Sequence, residues 1–279
     1  MHLSFLKSSF ASVCLSPEIH VTEVQPEELE MIGPKGIASV EIAVNLVRTI
    51  EASPEPLLLK EIADAVGFSS SKAYHYLVSL VRSGLLERER GGMRYGLGSF
   101  SLQLGLTALA RTGTAHLVAD AVRALRDEVG HATAFSVWST RGAVVRHLEE
   151  SKEALGVSMR LGTVLPLLNS PTTDIFLAWL PDEELKPALA ALPQKALPLK
   201  KLVAIRQETR QQGGAHASGV RTPSIAGAAA PVFGGRGRLV GALSTLGLVG
   251  QFDDRPTSKV SRALHRHARA LSDTLATQM

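Results

Sequence analysis

The chain has one cysteine, Cys14, among its 279 residues. It cannot build an internal disulfide, and a thiolate metal site would need more sulfur. A reducing, cytoplasmic setting is the simplest expectation. No apolar run approaches the roughly 18 residues of a membrane span, so no membrane partner is expected. Aromatic residues make up 5% and charged residues 20%, while 45% are hydrophobic. That balance excludes a wholly disordered chain and allows a real core. The net charge of +4 is compatible with nucleic acid without requiring it. Residues 1–16 lack the continuous apolar stretch of a secretory signal.

Missing motifs narrow the function further. There is no Gly-x-Ser-x-Gly elbow, no His-Glu-x-x-His and no phosphate loop. Cys14 lies in the N-terminal tail, away from the periodic part of the chain. His265 and His267 are two apart on an expected helix, so they point in different directions. His216 falls in an expected loop with no obvious partner. An enzyme is not expected, nor any metal or cofactor.

Residues 1–37 form an expected flexible arm. Its first 35 residues hold five acidic side chains and two basic ones, Lys7 and Lys35. Met31, just before the periodic pattern, is a candidate biological start. Helical spacing then places Val40, Ala43, Val44, Val47 and Ile50 on one face. Pro54 and Pro56 end that helix, and residues 59–66 make a second, stopped at Gly67. Ser69 to Ser71 offer capping oxygens for a third helix running to about Ser83. Strands at 85–89 and 93–97 follow, joined by Arg90-Gly91-Gly92. Helix, helix, tight turn, helix and hairpin make a winged helix-turn-helix over residues 38–98. Residues 99–113 hold a linker helix with a broad apolar stripe, suited to a partner chain.

Residues 114–279 read as an α+β sandwich, with strands between flanking helices. Helices are expected at 115–129, from Pro171 after a Ser170 cap, at 182–192, at 201–212 and at 257–277. Strands are expected at 133–139, 142–150, 155–161, 226–233 and 238–248.

In a helix-turn-helix the second helix of the pair enters the major groove by its N-terminal end. Here that end carries Ser70, Ser71, Lys72, Tyr74, His75 and Tyr76. Serine and lysine suit phosphates or base edges, and helix N-termini attract phosphate. The wing adds Arg88, Arg90 and Arg94, and Lys60 lies on the preceding helix. From Ser69 to Tyr95 five basic residues face two acidic ones, a local excess of +3. Such charge supplies salt-dependent affinity for DNA. A helical hairpin used for protein contacts, with a solvated arginine face, is the competing reading.

Residues 38–111 resemble the isocitrate lyase regulator (IclR) family of transcription factors. The carrying strings are EIADAVGFSSSKAYHYLVSLVRSGLLER and RYGLGSFSLQLG. The second domain resembles the family's GAF-like effector domain through RLGTVLPLLNSPTTDIFLAWLP and AGAAAPVFGGRGRLVGALSTLG. The resemblance implies homodimers or homotetramers, palindromic operators in double-stranded DNA, and a small organic, often aromatic, acid as effector. By position Val145, Gly162, Thr163, Ala229, Pro231 and Ser244 match the family's pocket motifs. Thr163 and Ser244 have hydroxyls for a carboxylate. Val145, Ala229 and Pro231 are equally readable as core, and Ser244 as a satisfied strand serine.

The chain departs from the family pattern in two places. Asp174-Ile175 stands where many relatives have Gly-Lys. No acidic residue lies between Glu208 and Asp253, where four arginines occur: Arg210, Arg221, Arg236 and Arg238. A positive pocket is therefore expected, with Arg221 or Arg160 pairing an anionic effector. The alternative is a ligand-independent DNA-binding or protein-interaction module.

Overall fold

The computed structural model describes residues 36–89, 92–111, 113–151, 159–192, 197–220 and 222–278. The chain divides into two compact units, Met1–Leu104 and Gly105–Met279.

The first unit begins with α1 (Ala38–Glu51), β1 (Leu57–Leu58) and α2 (Leu59–Ala65). The Glu61 carboxylate accepts the Leu58 N–H at 2.7 Å, which satisfies one free donor at the start of α2. Gly67, at φ +68°, lets the chain reverse after α2, and Phe68 N–H closes the turn on the Ala63 carbonyl at 2.9 Å. α3 (Ser70–Arg82) starts at the Ser69 cap, whose hydroxyl accepts from Lys72 N–H. β2 (Leu86–Arg88) and β3 (Arg94–Leu97) form the wing, and β1 adds to the other side of β3. The β1 strand is too short to show a periodicity.

Leu46, Ile50, Ile62, Leu77, Leu80, Leu86 and Tyr95 close this core. Each fully buried aliphatic side chain contributes about 1.5–3 kcal/mol. Of the face expected for α1, Ile50 is buried and Ala43 and Val47 pack against this core, while Val40 and Val44 do not. Val40 is 57% exposed and Val44 is also outside, while Leu46 and Ile50 are the buried pair. α1 is apolar around much of its circumference, so spacing alone did not separate Val40 and Val44 from the side that meets α2, α3 and β3.

Gly98 follows β3. A Cβ there would lie 2.3 Å from the Gly84 carbonyl oxygen. This close approach lets Phe100 N–H donate to Gly84 O at 3.0 Å and Ser101 Oγ donate to Leu85 O at 2.7 Å. α4 (Ser99–Ala110) grows from that corner and buries none of its residues.

The second unit contains one five-stranded antiparallel sheet in the order β5-β4-β8-β7-β6. The strands are β4 (Ala132–Ser139), β5 (Gly142–Glu149), β6 (Ala215–Ser218), β7 (Ile225–Phe233) and β8 (Leu239–Leu248). α5 (Ala115–Val129) and α9 (Lys259–Gln278) cover one face through Val118, Val122, Leu125, Leu264, Leu271 and Leu275. α6 (Pro171–Trp179), α7 (Asp182–Ala190) and α8 (Leu199–Gln212) build the second core around Ile175, Phe176, Leu177 and Leu185.

Most of the expected strand 155–161 lies outside the described residues, and Met159 to Leu161 are not strand. β6 was not expected, being four residues of Ala, His and Ser. His216, expected in a loop without a partner, is on β6. Its Nε2 lies 3.0 Å from the Ser261 hydroxyl on α9.

The outer edge of β5 is covered by residues 162–165. Gly162 N–H donates to Val145 O at 2.8 Å, Val145 N–H to Thr163 O at 3.0 Å, and Leu165 N–H to Ala143 O at 2.7 Å. This pairing fixes Thr163 beside the start of α6.

Candidate nucleic-acid interface and ligand pocket

α3 buries Ala73, Leu77 and Leu80. The 3.6-residue period therefore turns the opposite side outward. Ser70, Ser71, Lys72, Tyr74 and His75 are all exposed at its N-terminal end. The Lys72 ammonium lies over the Phe68 ring, 3.8 Å from its centroid. Tyr74 and His75 rings meet edge to face at 6.2 Å. Lys60 is exposed on α2, and Arg88 is exposed on the wing, 6.0 Å from the Tyr95 ring. This surface offers cations, hydroxyls and a helix N-terminus to phosphates and base edges.

Three of the expected DNA contacts stand apart. Tyr76 is half-buried against the core, its ring 6.5 Å from that of Phe68. Arg94 donates to Pro56 O at 2.9 Å and lies 3.6 Å from the Glu61 carboxylate. Its guanidinium therefore braces the wing against the start of α2. Arg90 lies outside the described residues.

The second unit holds a cavity of about 290 Å³. Its walls come from the 163–166 segment, the first turn of α6, and β7 and β8. Of the expected effector residues, Thr163 and Ser244 line it. Ser244 donates weakly to Ala134 O at 3.4 Å, and the Thr163 hydroxyl accepts from Arg160 N–H at 3.3 Å. Gly162 and Val145 stand behind the wall as a backbone pair. Val145 and Ala229 are buried core outside the cavity wall, although Ala229 is the cross-strand partner of Ser244 and shares its sheet face, packed in the core that α6 builds. Pro231 is likewise outside the wall.

The expected positive lining is not found among the described residues. Arg160 is exposed and not part of the wall. Arg210 Nε donates to Ala178 O at 2.6 Å, and Arg238 faces Glu184 at 3.9 Å. Arg236 sits in the turn between β7 and β8. Arg221 lies outside the described residues. No described lining residue is charged; Asn169, Thr172 and Thr222 add polar groups that motif matching missed. The Ser170-Pro171 cap signal could have located this wall, since it marks the start of α6.

α6 is held at its other end by α8. Arg206 Nε donates to Leu177 O at 2.8 Å and its Nη2 to Asp182 at 2.5 Å. With Arg210, these side chains satisfy carbonyls that a helix C-terminus leaves free. Burial pushes the Asp174 carboxyl up to about 6, and the nearby Glu208 charge adds to the shift.

No three described His, Cys, Asp or Glu side chains gather as a metal site, and no described helix is long and apolar enough to cross a membrane.

A winged helix presenting its third helix, followed in the chain by a sheet domain with its own cavity, defines a two-domain transcriptional regulator. A family model described as bacterial transcriptional regulator IclR C-terminal matches residues 106–273, and one described as IclR helix-turn-helix domain matches residues 39–90. The chain belongs to the IclR family of transcriptional regulators.

It is 24% identical to the HTH-type transcriptional regulator XynR of Escherichia coli K12 over 86% of this chain and 97% of that one. The crystal structure of Pseudomonas aeruginosa HmgR is 27% identical, with a TM-score of 0.67 over 86% of this chain and 99% of that one. An IclR homologue from Microbacterium hydrocarbonoxydans, complexed with 4-hydroxybenzoate, shares the fold. It is 18% identical, with a TM-score of 0.70 over 86% of this chain and 99% of the other.

Proposed function

We propose that this regulator works in the cytoplasm as a homodimer or homotetramer, and that a small organic acid in the 290 Å³ cavity changes its affinity for a palindromic operator. Its role is regulatory rather than catalytic. Residues 38–98 form the DNA-binding part, 99–113 the linker and 114–279 the effector domain. Ser70, Ser71, Lys72, Tyr74 and His75 meet the operator, with Lys60 and Arg88 on flanking phosphates. Thr163 and Ser244 meet the effector.

The observation that carries this reading is the cavity itself. It lies in the domain matched by the family's C-terminal model, and its wall combines apolar side chains with a few hydroxyls. That is the composition of a small-molecule site. The bound 4-hydroxybenzoate of the Microbacterium relative supports an acid of this size. Two winged helices related by a two-fold axis match two half-sites of a palindrome. Exposed Leu102, Leu104 and Leu106 on α4 support self-association.

Coupling between effector and operator is reciprocal. Fluorescence anisotropy with the DNA upstream of the gene, at two salt concentrations and with and without 4-hydroxybenzoate or related acids, tests the proposal. Specific, salt-dependent binding that shifts with ligand is expected. Equal ligand affinity with and without operator would refute the coupling.

A further inference from the structure

The wing meets α2 along a very short seam. β1 pairs with β3 over two residues, Leu57 with Tyr95 and Leu58 with Arg94. So short a ladder holds the direction of a hairpin only weakly. Side chains complete the seam. Arg94 Nη1 donates to Pro56 O at 2.9 Å and lies 3.6 Å from Glu61 Oε2. The same Glu61 oxygen accepts the Leu58 N–H at 2.7 Å. One carboxylate oxygen therefore holds both the start of α2 and the guanidinium of the wing.

Stability does not account for this pair. Its side chains are 44% and 48% exposed, and exposed ion pairs contribute little to folding. Its location favours a role in orientation. Lys60, the residue before Glu61, is exposed on α2. Arg88, exposed on the wing, pairs across to Tyr95, the buried residue that follows Arg94. The contact between Glu61 and Arg94 thus sets the separation of a cation on α2 from a cation on the wing. Phosphate contacts fix how a protein sits on the duplex, and base contacts depend on that register.

We propose that Glu61 and Arg94 are positioning residues for operator recognition. They hold the wing to the start of α2 so that Lys60 and Arg88 reach their phosphates while α3 reads the bases, and neither touches DNA. This rests on α3 and the wing being the operator surface. A carboxylate near DNA repels phosphate, so charge alone gives tighter binding when Glu61 is neutralised. Positioning gives the reverse, and for the operator only, because non-specific binding follows charge.

The test is fluorescence anisotropy of the full chain at four salt concentrations with two duplexes. One is the sequence that the parent enriches from a random pool, and the other is a scrambled duplex of equal length. Glu61→Gln keeps an acceptor for Leu58 N–H and loses the charge. It weakens the selected duplex about tenfold, the size of one lost base contact, and binds the scrambled duplex no more weakly than the parent. Once Arg88→Ala has removed the cation being positioned, Glu61→Gln costs less than about threefold more, since coupled residues are not additive. Arg94→Met also weakens the selected duplex, and its slope of log K against log salt on the scrambled duplex equals the parent's. A slope lower by about one would make Arg94 a phosphate contact and overturn the assignment. So would Glu61→Gln that tightens or leaves unchanged the selected duplex, weakens both duplexes equally, or adds its full cost to Arg88→Ala. Lys72→Ala and Arg88→Ala separate this failure from that of the surface. If neither weakens the selected duplex, or the parent enriches no sequence, the operator surface lies elsewhere and this proposal falls with it.

Discussion

The ammonium of Lys72 rests 3.8 Å from the centre of the Phe68 ring, which ties the first turn of α3 to the turn that precedes it. A cation held on an aromatic face keeps its charge while losing few orientations. Lys72→Ala is expected to weaken operator binding about tenfold at low salt and to lower the slope of log K against log salt by about one. Phe68→Leu should weaken binding less and leave the slope as it was. Anisotropy at four salt concentrations distinguishes them, and an unchanged slope for Lys72→Ala would exclude a phosphate contact.

Arg210 makes a different prediction, about stability. Its bond to Ala178 O joins α8 to a fully buried residue of α6. Arg210→Leu removes the donor and leaves the carbonyl unpaired, at a cost of about 1–3 kcal/mol in the effector domain. Urea unfolding followed by tryptophan fluorescence reads this directly, since Trp138 and Trp179 both pack against that core. A midpoint equal to the parent's would show that water replaces the arginine without loss.

Two partly buried groups give opposite pH dependences. Asp174 has a folded value raised to about 6 by burial and by Glu208, against 3.8 for the free group. Its contribution favours the fold below pH 4 and is lost as pH rises through 6. Asp174→Asn should therefore stabilise the domain at pH 7, by at most about 3 kcal/mol, and have no such effect at pH 4. For His216, burial and the His265 charge lower the folded value below 6.5. Its contribution is present above pH 6.5 and is lost as pH falls below it. Unfolding midpoints of the parent and Asp174→Asn at pH 4, 5, 6 and 7 check the sign. A gain that does not grow with pH would contradict it.

Leu102 is 64% exposed, and Leu106 follows it by one helical turn. Leu102→Glu with Leu106→Glu places charge on that stripe. Sedimentation velocity should show a smaller species, and operator affinity should fall with it, because single half-sites hold a monomer weakly. An unchanged sedimentation coefficient would move the self-association surface elsewhere.

The elements of the winged helix were legible because each boundary has a local cause: Gly67 after α2, Ser69 before α3, Gly84 after it. The long helices α5 and α9 were legible from their periodic apolar faces. What escaped depends on long-range contact. Tyr76 and Arg94 looked identical in type to groove-facing residues, and only packing shows the first against the core and the second on Pro56 and Glu61. The pocket divided similarly. Motif position found Thr163 and Ser244, while Ala229, across from Ser244 on the same sheet face, and Val145 are taken up in buried core beside the cavity and not in its wall. The arginine excess of the last third looked like a ligand site in sequence, but Arg210 is spent on a helix end and Arg238 pairs at the surface.

Gly98 carries a mechanical consequence. With Phe100 and Ser101 bonded to the corner at Gly84 and Leu85, the first turn of α4 is part of the DNA-reading head. The start of α4 is thus held to the winged helix through backbone carbonyls. A side chain at position 98 would unseat the clamp at its root.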